Sequence, residues 1–150
     1  MRFFGNIEAK LDQKGRAFFP VVFRKILQEG SDSGVLVMRK DVYQPCIVIY
    51  PEAVWYELID NLRSKLNRWN REHQQIYRQF VSDVEVIKLD SNGRILIPSR
   101  YREMAHLEQD IHFIGMDDSV ELWGDTETQN PFMDADEFKT KLEDIISDDE

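Results

Sequence analysis

Leu11-Asp-Gln-Lys-Gly-Arg-Ala-Phe-Phe-Pro20 returns 78 residues further on as Leu89-Asp-Ser-Asn-Gly-Arg-Ile-Leu-Ile-Pro98. Leu, Asp, Gly, Arg and Pro recur in register, and the positions between them keep their character only loosely. A repeated unit predicts two related half-domains, and a charged turn present in both predicts one surface used twice. Asp12-Gln-Lys-Gly15 and Asp90-Ser-Asn-Gly93 each place Asp first and Gly fourth. That order suits a type I turn followed by a left-handed glycine, the bulged tip of a β-hairpin. The aspartate accepts from the amides of its own turn, and glycine carries the positive φ without a Cβ clash.

The flanks of each turn read as strands. Ile7, Ala9 and Leu11 alternate with Asn6, Glu8 and Lys10 before the first, and Val84–Leu89 precedes the second. Arg16–Phe19 and Arg94–Ile97 are the return strands. Pro20 and Pro98 then stop the sheet, and proline suits the first position of a helix. Short helices are expected over Pro20–Gln28 and Pro98–Leu107. Each unit continues with two apolar runs. These are Val35–Met38 and Ile47–Tyr50 in the first half, and Ile111–Ile114 and Val120–Trp123 in the second. Each half has about 45 residues, a size at which one core is marginal, so the halves are expected to interlock around a shared core.

Between them, residues 52–81 contain neither Gly nor Pro. Val54, Trp55, Leu58, Ile59, Leu62 and Leu66 form one helical stripe, and Trp69, Ile76, Tyr77, Phe80 and Val81 form a second. Asn67 and Asn70 mark a break between two helices. At the end of the chain, Asp134-Ala-Asp-Glu137 resembles a capping box. It opens a helix with Phe138, Leu142, Ile145 and Ile146 on one face, before a frayed Asp148-Asp149-Glu150. The expected organisation is a first half at 1–51, a helical insertion at 52–82, a second half at 83–124 and an acidic tail at 125–150.

The 150 residues suffice for one domain or two closely joined small ones. Hydrophobic residues make up 42%, enough for a packed core, and no apolar run approaches a membrane span. Cys46 is the sole cysteine, and the N-terminus carries no signal-like apolar region. Both favour a cytoplasmic protein. The net charge of −9 argues at first against nucleic acid. Its distribution reverses that reading. Residues 125–150 hold ten Asp/Glu and two Lys, whereas residues 1–124 hold eighteen Asp/Glu and seventeen Lys/Arg. A near-neutral body can carry a basic face. Lys10, Lys14, Arg16, Arg24 and Lys25 cluster around the first turn, and Lys88, Arg94, Arg100 and Arg102 around the second.

Arg16 and Arg94 follow the bulged glycines, where a side chain projects from the turn. A guanidinium offers planar paired donors to phosphate or to a guanine edge. Asp12 and Asp90 are expected to hold the turn and orient the arginine through a salt bridge. Lys14 adds a phosphate-seeking charge that Asn92 replaces in the second copy, so the two faces are related but unequal. The candidate DNA-binding set is Lys10, Asp12, Lys14, Gly15 and Arg16 with Lys88, Asp90, Asn92, Gly93 and Arg94. No phosphate loop, zinc spacing or nucleophile elbow occurs, and His73, His106 and His112 form no metal pattern. No enzyme, metal or cofactor is expected.

Phe4-Gly5, Leu11–Arg16, Pro20, Phe23 and Arg24, together with the second copy through Arg102 and Cys46-Ile-Val-Ile-Tyr-Pro51, resemble the MraZ family. The likeness covers about residues 3–124 and excludes the acidic tail. It implies an α+β fold, a double swapped-hairpin β-barrel of the AbrB type built from two pseudo-symmetric halves, with the helical insertion and a C-terminal helix added. It also implies ring-like homo-oligomers that bind repeated promoter DNA through the Asp-x-x-Gly-Arg turns. Such proteins regulate the division and cell-wall gene cluster, typically as repressors, which implies a nucleoid-associated location. The alternative is a non-enzymatic oligomeric interaction module, or an antitoxin-like protein of the AbrB class.

Overall fold

Among the described residues, eight strands and five helices follow one another in a pattern that repeats. The computed structural model describes residues 1–30, 33–125 and 130–148. The first copy comprises β1 (Asn6–Lys10), β2 (Arg16–Phe18), α1 (Val21–Glu29), β3 (Val35–Lys40) and β4 (Ile47–Pro51). Helices α2 (Glu52–Ser64) and α3 (Arg71–Ser82) intervene. The second copy comprises β5 (Val84–Lys88), β6 (Arg94–Leu96), α4 (Ser99–Met104), β7 (Asp110–Gly115) and β8 (Val120–Trp123), and α5 (Ala135–Asp148) ends the described chain. Asp148, expected to fray, is the last residue of α5, and residues 149 and 150 of the expected frayed end lie outside the described residues. The fold is α+β, with every strand pair antiparallel.

The strands flanking each turn do not pair with one another, contrary to the simple hairpin expected. β1 pairs with β7 and β5 with β3, so the leading strand of each copy joins the sheet of the other. β2 pairs with β6, and Ala17 faces Ile95, the same position of the two copies. Each bulged turn is therefore a corner at which the chain leaves one sheet for another, because the glycine bends the strand and the proline four residues after the arginine ends it. The result is a six-stranded sheet, β1-β7-β8-β4-β3-β5, and a separate two-stranded ribbon. Hydrogen bonding does not close these into a barrel, since β1 and β5 remain the sheet's edges.

One core serves both copies. Phe3, Leu11, Phe19, Phe23, Leu36 and Met38 pack with Ile95, Ile97, Tyr101, Ile111, Phe113 and Leu122. Edge-on contacts of Phe3 with Phe23 and of Phe19 with Phe113 lie at 5.5 and 5.6 Å between centroids, a favoured aromatic geometry. Ala17 and Ile95 point into this core from the inner face of the ribbon.

Helix ends depart from the expected positions in small ways. Pro20 and Pro98 are N-caps with extended backbone, so each helix begins one residue later. α4 stops at Met104, short of Leu107. His106 takes a φ of 53°, and the amides of His106 and Leu107 donate to the carbonyls of Glu103 and Arg102. This is a Schellman end with histidine where glycine is usual. The break in the insertion lies where Asn67 and Asn70 predict it, and the Asn70 side chain caps α3 by accepting from the His73 amide at 3.1 Å. Trp69 falls in that connection and is 95% exposed, so it belongs to no packed stripe. The insertion packs mainly through Trp55 of α2, stacked on Phe80 of α3 at 5.9 Å. Asp134 caps α5 with its carboxylate, accepting from the Asp136 amide.

Candidate nucleic-acid interface

Both turns are built alike. In the first, the Gly15 amide donates to the Asp12 carbonyl at 3.1 Å, and the Asp12 amide donates to the Arg16 carbonyl at 2.8 Å. In the second, the corresponding distances for Gly93, Asp90 and Arg94 are 3.0 and 2.9 Å. Gly15 and Gly93 both have a φ of 84°, as a bulge glycine requires. Oδ1 of Asp12 accepts from the amides of Lys14 and Arg16, both at 2.9 Å, and Oδ2 accepts from Arg16 Nε at 3.0 Å. Asp90 repeats this with Asn92 and Arg94, each bond at 2.9 Å. The salt bridge expected to orient each arginine is present in both copies.

This wiring sets the charge state. The Arg16 amide is the largest cause holding the Asp12 carboxyl below the ordinary range, and the Arg94 amide acts likewise on Asp90. A carboxylate that accepts several donors is stabilised in its charged form. Each arginine is thereby fixed through Nε.

The ribbon brings the two turns onto one face. Arg16 lies opposite Leu96, and Arg94 lies opposite Phe18. Side chains alternate across a strand, so with Ala17 and Ile95 buried, these four residues share the outer face. The two arginines are diagonal neighbours, about 7–8 Å apart by ribbon geometry. Phe18 and Leu96 are each 57% exposed between them. Arg94 also sits over the Phe18 ring at 5.9 Å. Leu96, the repeat equivalent of Phe18, offers Arg16 no such surface.

The other basic residues regroup. Arg24 of the first copy lies against Gly93 of the second turn, and Arg102 of the second copy lies against Gly15 of the first. Proximity in sequence therefore assigns each to the wrong turn. Arg24 Nε donates to the Phe19 carbonyl at 2.9 Å, whereas the buried Arg102 Nε has no hydrogen-bond partner among the described residues. Lys10 pairs with Asp110 across β1 and β7. Arg100 bridges Asp83 and Glu85, both at 2.7 Å, which compensates its charge. Lys14, Lys88 and Asn92 are exposed.

His73, His106 and His112 belong to no group of potential metal ligands among the described residues. Among the described residues, Asp41, Cys46 and Glu121 bring potential metal-ligand atoms within 4.8 Å of one another. Burial raises both the Cys46 thiol and the Glu121 carboxyl, favouring neutral forms rather than the charged ligands a metal needs. Glu121 already accepts from Trp123 Nε1 at 2.9 Å.

The apolar part of the ribbon face and the crossing of Arg24 and Arg102 are not apparent from the turns alone. The signal for the first lies in alternation. If Ala17 and Phe19 point inward, Phe18 must point out, and the repeat places Leu96 beside it. The crossing has no local signal.

Comparison with known proteins is consistent across nearly the whole chain. A sequence model of the family described as "MraZ protein, putative antitoxin-like" matches residues 80–144. The chain is 56% identical over 146 residues to the "Transcriptional regulator MraZ" of Phocaeicola vulgatus, covering 97% of this chain and 94% of that protein. The protein of the same description from Bacteroides thetaiotaomicron is 53% identical over 148 residues, covering 99% and 94%. That from Histophilus somni is 35% identical over 127 residues, covering 85% and 82%.

Proposed function

The chain belongs to the MraZ family, and from that premise we propose that it is a DNA-binding transcriptional regulator whose two Asp-x-x-Gly-Arg turns contact promoter DNA. Membership makes it a regulator rather than an enzyme. The observation that carries the DNA reading is the outer face of the β2–β6 ribbon, which holds Arg16 and Arg94 as diagonal neighbours, each held by its own aspartate. Lys10, Asp12, Lys14, Gly15 and Arg16 form one contact surface, and Lys88, Asp90, Asn92, Gly93 and Arg94 the other. The aspartates and glycines shape the turns, and the basic side chains meet the phosphates or base edges.

We read the architecture behind this surface as a double swapped-hairpin barrel of the AbrB type, whose sheet and ribbon meet through the shared core rather than through a continuous ladder. Its halves are residues 1–51 and 83–124, with the insertion at 52–82 and the tail at 125–150. A single subunit offers only a small basic surface. In a homo-oligomeric ring, many copies face DNA, and repeated promoter sequences engage several at once. Linked contacts raise the effective concentration, so avidity replaces one large interface. The regulated DNA is the division and cell-wall cluster, and the action is repression in the cytoplasm, at the nucleoid. No helix among the described residues is long and apolar enough to cross a membrane, which accords with that location.

A gel-shift assay with DNA from upstream of the protein's own gene tests this reading, alongside size-exclusion chromatography. Arg16→Ala should abolish the shift and leave the oligomer intact. Wild-type binding by that variant rejects the assignment. A second reading, an antitoxin-like interaction protein, draws on the family's description and on the exposed Phe138, Leu142, Ile145 and Ile146 of α5. It requires no DNA affinity that survives competitor.

A further inference from the structure

We propose that Phe18 and Leu96 select sequence in the bound DNA by packing against thymine 5-methyl groups in the major groove. This inference rests on the DNA-binding reading above and extends it from affinity to specificity. A two-stranded antiparallel ribbon is one of the few protein elements that the major groove admits. Its outer face here alternates charge with apolar surface. Arg16 faces Leu96 and Arg94 faces Phe18 across the two strands. The arginines supply the positive charge that brings this face to DNA. Once it is seated, both apolar side chains lie within the same footprint.

A phenyl ring and a leucine side chain, each 57% exposed, occupy an outer face whose inner side is fully packed by Ala17 and Ile95. They add nothing to the inner packing of the ribbon. In the major groove, only thymine presents a methyl group, and an apolar side chain is its complement. A phosphate contact by Arg16 or Arg94 positions the ribbon without reading sequence, whereas an apolar side chain against a thymine methyl discriminates between bases.

The pseudo-symmetry makes the two half-contacts unequal. Phe18 also has the Arg94 guanidinium over its ring at 5.9 Å, within the range of a cation–π contact. Leu96 has no ring to offer Arg16. A tract with thymines under the Phe18 half should therefore be discriminated more strongly than one under the Leu96 half.

The test uses the full-length protein and its upstream DNA. Thymines within the footprint are replaced one at a time by uracil, which removes the methyl and keeps the pairing edge. Each lost methyl contact should weaken wild-type binding by about four-fold, the factor for one buried methylene-sized group. Phe18→Ala should weaken binding to the thymine duplex and be indifferent to uracil at the positions it contacts. Leu96→Ala should do the same at a different position. Equal wild-type affinity for thymine and uracil duplexes, with Arg16→Ala still abolishing binding, overturns the inference and leaves the DNA reading standing. Unchanged binding by Arg16→Ala overturns both. Uracil sensitivity retained in both apolar variants also overturns the inference, since the methyls would then be read by something else.

Discussion

Arg102, from the helix of the second copy, lies across Gly15 in the turn of the first, so close that a Cβ at Gly15 would sit 2.9 Å from the guanidinium carbon. Arg24 stands in the same relation to Gly93, where a Cβ would lie 2.8 Å from its guanidinium carbon. Each turn is therefore braced by the other copy. Together with the ribbon, this ties the two candidate contact surfaces into one unit.

Gly15→Ala should destabilise the protein by about 1–2 kcal/mol from its left-handed backbone alone. Displacement of Arg102 and approach to the Ile97 carbonyl add to that cost. Urea unfolding monitored by tryptophan fluorescence measures the change. An unaltered midpoint would mean that the turn relaxes without penalty.

Acid should loosen both turns. Asp12 and Asp90 are held below the ordinary aspartate range in the folded chain. Their stabilising contribution is therefore complete above the unfolded value of about 3.9. It is lost as pH falls through the lower folded values. In Asp12→Asn and Asp90→Asn this part of the acid dependence should disappear. Titration of the aspartate carboxyl carbons by NMR, with parallel acid unfolding of the variants, checks the sign.

Lys14 and Asn92 should set unequal electrostatic contributions. Lys14→Asn is expected to weaken DNA binding and to reduce the slope of log affinity against log salt by about 1 for each engaged subunit. Asn92→Lys should steepen that slope. Fluorescence anisotropy over a salt series reads both, and identical slopes would place the two side chains away from the phosphates.

Removing residues 132–150 should leave the body folded and tighten DNA binding. The apolar residues Phe138, Leu142, Ile145 and Ile146 of α5 are all exposed, so their loss uncovers no core. The removed segment is strongly acidic, and a negative segment held near the basic face would compete with phosphate. Thermal unfolding and gel shifts on the truncated protein test the two statements separately. Unchanged affinity removes the competitive role.

Much of the local structure is legible in residue order. Asp12-Gln-Lys-Gly15 dictates its own turn because the donors, acceptor and left-handed glycine all lie within five residues. Asn70 caps α3 for the same short-range reason. His106 escapes such reading, because a Schellman end usually carries glycine at that position. Trp69 shows the reverse error, since its apolar surface fits a helical stripe while the chain places it in the connection.

What the sequence determines by itself is the repeat, the geometry of each turn, the pairing of Asp12 with Arg16 and of Asp90 with Arg94, and the concentration of acidity in the tail. These depend on neighbours along the chain. Only the tertiary structure decides that the strands beside each turn part company, that β2 meets β6, and that Arg24 and Arg102 each serve the opposite turn. Those arrangements follow from burying one shared core beneath two halves too small to close alone. No residue within either half carries that constraint.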